Sequence, residues 1–220
     1  MEISLLIADA NATDYISAFC AVITTGLAIW GLTTWRHQLK GGAEYLLAKD
    51  LLKATYRTGK AFDRVRNPVI RSNEYPEAMQ EDAPRLEAGP KHVATMYVYD
   101  QRWKQMAEAL DLFREKSLDA QVEWGRDFDK LTRPLLELAY ELRGALNFML
   151  WPNPGEDSAF DPNAEGSKER IEARKSKDRI IYKNDLPEFD DFTPKIEAAI
   201  ANLERALRAK IGKKVPVRML

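Results

Sequence analysis

Cysteine and histidine are nearly missing from this chain of 220 residues, which has one Cys, at position 20, and two His, at 37 and 92. A single thiol excludes a disulfide framework. Without closely spaced Cys or His pairs there is no zinc site either. Charge of one sign is not in excess, since 33 Lys and Arg face 34 Asp and Glu. The whole chain therefore exerts no general pull on nucleic acid, and no nucleic-acid partner is expected. Also missing are a G-x-S-x-G turn, a phosphate-cradling glycine loop and a Cys/His pairing. No catalytic residue, cofactor or metal is expected, and the chain reads as a non-enzyme. Glycine and proline, 11 of each, gather at 67–90, 151–166 and 185–194. The stretches between them are left free for helices.

What is present is a long run without charge. Residues 15–35 read Y-I-S-A-F-C-A-V-I-T-T-G-L-A-I-W-G-L-T-T-W, between Asp14 and Arg36-His37. At roughly 1.5 Å per residue a helix of this length covers the ~30 Å hydrocarbon core of a bilayer. Tyr15, Trp30 and Trp35 suit an interfacial aromatic belt and are assigned as membrane-anchor residues. Two rivals compete with a transmembrane helix. A signal peptide needs Lys or Arg ahead of a shorter apolar run, yet the first fourteen residues carry only Glu2, Asp9 and Asp14. A buried core helix is the other rival, because Thr24, Thr25, Thr33 and Thr34 lower the hydropathy.

Charge asymmetry sets the expected orientation. Arg36, Lys40, Lys49, Lys53, Arg57, Lys60, Arg64, Arg66 and Arg71 follow the run, against Glu44, Asp50 and Asp63. Basic flanks stay on the cytoplasmic side. The expectation is a membrane protein with an outward N-terminus at 1–14, a span at 15–35, a cytoplasmic helical domain at 36–212 and a tail at 213–220. Arg36, Lys40, Lys49, Lys53, Arg57 and Lys60 are the candidate lipid-facing cations of the juxtamembrane helix, and the bilayer is the first expected partner.

The rest predicts an all-α fold, an antiparallel bundle of about four helices after the transmembrane helix. Leu39, Ala43, Leu47, Leu51, Ala54, Thr58, Phe62 and Val65 form a stripe ended by Asn67-Pro68. Gly41-Gly42 either hinges this helix from the span or is absorbed into one long helix. Residues 67–90 read as a long irregular excursion. A second stripe runs from Val93 to Phe113, and a third from Val122 to Met149, with a kink or a helix start at Pro134. Residues 167–179 are almost all polar, and Ile180-Ile181-Tyr182 reads as an extended piece. Thr193 is the expected cap of a last helix, with Pro194 in its first turn and Ile196, Ala199, Ile200, Leu203 and Leu207 on one face.

The carboxylates read mostly as structural. Asp185, Glu188, Asp190 and Asp191 form a solvated acidic loop before a helix N-terminus, with Phe189 and Phe192 pinning it. No calcium loop fits them. Glu137 and Glu141 are expected to pair with Arg133 and Arg143. The stretches W-R-H-Q-L-K-G-G-A-E-Y-L-L-A-K-D-L-L-K and I-I-Y-K-N-D-L-P-E-F-D-D-F-T-P-K-I-E-A-A-I-A-N-L-E resemble a group of small bacterial single-span inner membrane proteins. That resemblance implies the location and carries over no functional residue. Three functions follow from the sequence: a tethered module binding a cytoplasmic protein, through aromatics such as Tyr97, Tyr99, Trp103, Trp124 and Trp151; a homo-oligomeric effector that perturbs the bilayer; or an enzyme using the acidic loop.

Overall fold

The computed structural model describes residues 2–81, 88–150, 167–184 and 186–212, and all its regular elements are helical. The helices are α1 (Glu2–Val65), α2 (Ala88–Trp124), α3 (Asp129–Leu150), α4 (Ser167–Ile181) and α5 (Thr193–Ile211). The chain divides into two compact units, one covering residues up to Leu46 and the other Leu47–Gly212. In the first, α1 passes through Gly41-Gly42 without a break, so of the two readings of that pair the continuous helix is the one found. Leu39 and Ala43 of the expected stripe are exposed, and burial starts at Ala48.

The second unit holds one apolar core to which all five helices contribute. Leu51, Phe62 and Val65 of α1 meet Met106 and Phe113 of α2, Leu135, Leu142 and Leu146 of α3, Ile181 of α4 and Leu203 and Leu207 of α5. Side-chain contacts give the local directions. Arg64 reaches Gln105 and Thr58 reaches the Ala109 carbonyl, so α2 runs opposite to α1. Arg66 reaches Thr193, and a Cβ on Gly59 would come 2.8 Å from Ile200 Cδ1, so α5 also runs opposite to α1. Buried hydroxyls are satisfied locally, Thr55 donating to the Leu51 carbonyl and Ser117 to that of Phe113. This removes the cost of an unpaired polar group in the core.

Several boundaries differ from expectation. α2 does not stop near Phe113 but continues to Trp124, and Val122 lies on its exposed side. The break comes at Gly125, whose φ of 96° suits glycine alone. Pro134 is the sixth residue of α3, which starts at Asp129, so proline does not open the helix. Its missing N–H leaves only the Lys130 carbonyl without an intrahelical donor. Ile180 and Ile181 are the last turn of α4 rather than a strand, and both are buried. They are almost the only apolar anchor of that helix.

The cap of α5 is the largest correction. Thr193 does not cap it; the Asp190 carboxylate does, accepting from the N–H groups of Phe192 at 3.2 Å and Thr193 at 2.9 Å and from the Thr193 hydroxyl at 2.6 Å. Asp190 is 3 % exposed, so it is no member of a solvated loop. Its counter-ion is Arg66, 1 % exposed and 2.8 Å away. The same guanidinium donates to the carbonyls of Ile180, Arg179 and Tyr182 and lies 5.0 Å from the Phe192 ring centroid. One arginine at the end of α1 thus satisfies two C-terminal carbonyls of α4 and the one just beyond it, and holds the cap of α5. Phe192 is fully buried and pins this loop, whereas Phe189 is exposed and does not; Asp185 lies outside the described residues.

Burial opposes the charge on Asp190, but the Thr193, Arg66 and Asn184 hydrogen bonds win and hold it well below its ordinary 3.8. The unfolded chain therefore takes up a proton that the folded chain refuses, and acid favours unfolding. The Asp190 contribution is complete above the ordinary carboxylate range and is lost as pH falls from near 3.8 toward the lower folded value. Arg66→Met, which strands a buried carboxylate and three carbonyls, should lower unfolding free energy by about 3–5 kcal/mol. Urea titrations across the acid range should give Asp190→Asn a flatter dependence than the parent below pH ~4. An unchanged slope would deny Asp190 this role.

Candidate functional site

The surface of the N-terminal unit is the most unusual in the molecule. Every residue from Asp14 to Lys40 is exposed, including Tyr15, Phe19, Leu27, Trp30, Leu32 and Trp35. Large apolar side chains therefore surround α1 between Tyr15 and Trp35 rather than lining one face. By length and composition α1 is the one helix among the described residues able to cross a membrane. A soluble core helix passes the same test but is mostly buried, and here none of the apolar window is buried. The threonines are accommodated. Thr24, Thr25 and Thr33 donate to the carbonyls of Cys20, Ala21 and Trp30 at 2.8, 2.8 and 2.9 Å. A hydroxyl bonded to its own helix needs no water, so these residues do not bar α1 from lipid.

The other predicted cations are placed on exposed surface. Arg36 and Lys40 lie in the first unit, and Lys49, Lys53, Arg57 and Lys60 in the second. In the second unit the four share one side of α1, opposite the buried Leu51, Thr55, Thr58 and Phe62. His37 and His92 are both exposed and far from any thiol. No group of three or more metal-ligating side chains occurs among the described residues.

Sequence reasoning missed the best-defined cleft. It measures about 750 Å³ and lies between α2 and the segment after α1, lined in part by Arg64, Arg71, Glu74, Tyr97, Arg102 and Gln105. Arg102, 4 % exposed, builds it. Its guanidinium forks onto Glu74 at 2.7 and 2.9 Å and donates to the carbonyls of Asn67 and Val69 at 2.6 and 2.8 Å. Glu74 also accepts from the Arg71 N–H at 3.0 Å. Hydrogen bonding to Arg102 outweighs burial and lowers the Glu74 pKa. The first part of the expected irregular excursion is thus a clamped loop with short 3₁₀ turns at Ser72–Glu74 and Glu77–Met79. The donors of Arg102 are spent on the protein's own groups.

The aromatics divide. Tyr99 is buried, Trp103 and Trp124 are half-buried, and Tyr97 is exposed; Trp151 lies outside the described residues. Arg143 stacks over Trp103 at 4.8 Å and Lys210 over Trp124 at 5.0 Å. Burial raises the Tyr99 pKa far above ordinary tyrosine, so it stays neutral. The expected pairs on α3 are replaced too, because Arg133 binds Asp129 and Arg143 covers Trp103.

Arg102→Met should speed hydrogen exchange of amides in 67–80 by an order of magnitude or more while leaving those of α5 unchanged, as expected for a buried charge pair acting locally. Exchange rising equally everywhere would show that this arginine supports the whole fold instead. No protein-family model, no curated protein and no solved structure matches this chain, so the site speaks only through its own geometry.

Proposed function

We propose that this protein is a single-span membrane protein of the bacterial inner membrane, with its N-terminus outside and an antiparallel helical bundle in the cytoplasm. The bundle is a non-catalytic module that binds another protein. The observation that carries the anchor is the exposure of large apolar side chains on every side of α1 between Tyr15 and Trp35. In water such a surface costs on the order of 25 cal/mol per Å², and lipid removes that cost. The basic residues after Trp35 support the orientation. The interaction role is supported by the chemistry of the domain, whose buried charges at Arg66 and Arg102 are consumed in holding loops.

A second reading is favoured by one feature of the span. Gly26 and Gly31 have nothing within 4 Å of where a Cβ would stand. Such positions let two helices approach closely, as a self-associating span requires. In that reading the protein is a homo-oligomer that perturbs the bilayer.

Alkaline extraction of membranes should leave the full chain in the pellet and release a chain beginning at Gly42. Leu27→Arg, at a cost of about 2.5–3.5 kcal/mol at the helix centre, should shift the full chain toward the soluble fraction. Complete release of the parent would end the anchor reading. Crosslinking in the same membranes separates the two roles. A discrete foreign protein captured with and without the span supports the module, and self-ladders lost without the span support the oligomer.

A further inference from the structure

We propose that the outward side of α1 within the Leu47–Gly212 unit is a docking surface for anionic lipid headgroups. The tethered domain rests on the membrane through Lys49, Lys53, Arg57 and Lys60. The proposal rests on the anchor reading above, and adds a second, reversible contact to it.

The face is built by helical geometry. At 100° per residue the four positions fall within about 80° of arc. All four are exposed, and Leu51, Thr55, Thr58 and Phe62 occupy the opposite, buried side. Tyr56 sits among the cations, 38 % exposed. An aromatic ring with a polar tip between lysines and arginines suits a headgroup layer. Arg208 of α5 comes to 3.5 Å from the Tyr56 hydroxyl at the edge of this face, its charge matched by Glu204.

Three of these cations lack a neighbour of opposite sign. Elsewhere some exposed cations are matched along their helices, Lys104 with Asp100, Arg114 with Asp111, Lys130 with Asp127 and Arg208 with Glu204, and others such as Arg126 and Lys195 are not. What marks this face is that its cations share one side of a single helix. On this face only Lys53 has a partner, Asp50 at 3.1 Å. Lys49, Arg57 and Lys60 have no ion pair among the described residues. Asp63, at the edge, is taken by Lys183. The result is a strip of uncompensated positive charge, which an anionic surface complements.

Topology alone does not account for it. The charges that fix orientation lie within about 15–20 residues of a span's end, and Arg57 and Lys60 lie beyond that from Trp35. A tether also makes weak attraction sufficient, because it holds the domain near the leaflet at high effective concentration. Gly41 and Gly42 are where α1 is easiest to bend, since glycine is a poor helix former.

The test uses the full chain reconstituted into vesicles of phosphatidylcholine, with or without phosphatidylserine. Cys20→Ser with Tyr56→Cys carries a fluorophore, and quencher-labelled headgroups report its approach. Quenching is expected only with phosphatidylserine and should fade as salt is raised. Each of Lys49→Gln, Lys53→Gln, Arg57→Gln and Lys60→Gln should lower the docked-to-free ratio about fivefold. Gly41→Ala with Gly42→Ala should lower it without altering charge. The four cations are exposed and a Cβ at Gly42 meets nothing within 4 Å, and an unchanged thermal melt confirms that each variant is folded. Equal quenching in both lipids, or none in either, overturns the proposal, as does an undiminished signal in the four-site variant. If the protein floats with neutral vesicles while the label stays unquenched with phosphatidylserine, docking alone fails and the anchor stands. Failure to float overturns both. Quenching relieved only when an acidic protein is added in excess, and not by salt, would assign the face to protein rather than lipid.

Discussion

The Leu47–Gly212 unit depends on one buried ion pair. Arg66 and Asp190 lie 2.8 Å apart with both side chains 2 % exposed, a situation that costs several kcal/mol per ion unless every donor and acceptor is used. Here they are used. The guanidinium meets three carbonyls, a hydroxyl and the carboxylate, and the carboxylate accepts from three N–H groups and a hydroxyl in return. The pair therefore fixes geometry more than it adds stability. It sets where α1 stops, where α4 stops and where α5 begins.

That dependence is uneven across the helices. α1, α2, α3 and α5 bury continuous apolar stripes and would seek the core without it. α4 would not, since Ile180 and Ile181 are its only buried apolar residues among those described. Its carbonyl ends are held by Arg66, so the least hydrophobic helix is kept by the most polar buried group. Arg102 does similar work after α1, where it supplies the hydrogen bonds that a loop without regular structure cannot make for itself.

Much of this was legible in the sequence wherever the signal is periodic. The stripes at Leu51 to Val65, Leu135 to Leu146 and Ile196 to Leu207 are buried as their spacing requires. Tyr15 to Trp35, the uncharged run, forms one helix that is exposed throughout and is long and apolar enough to be a candidate span. What periodicity could not reveal was pairing over long separations. Arg66 looked like one more juxtamembrane cation, and Asp190 like one more acid in a solvated loop, because charge patterns carry no record of which partner lies 124 residues away. Arg102 sat inside an apolar stripe and invited no attention. A hint exists for the two arginines, each a charged residue at a position that the helical pattern assigns to the core. The break at Gly125 was also written in the chain, but the leucines and aromatics on both sides hid it.

The glycine at 59 has a consequence of a different kind. Its missing side chain lets Ile200 of α5 settle against the backbone of α1, so the spacing of these two helices is set by an absent group. Volume added there has only the tip of one isoleucine to displace before backbone must yield. That tip has a cleft beside it, lined by Gly59 and Ile200, into which it can turn. In the course of sequence drift, a small residue at 59 is thus tied to the rotamer or size of the side chain at 200.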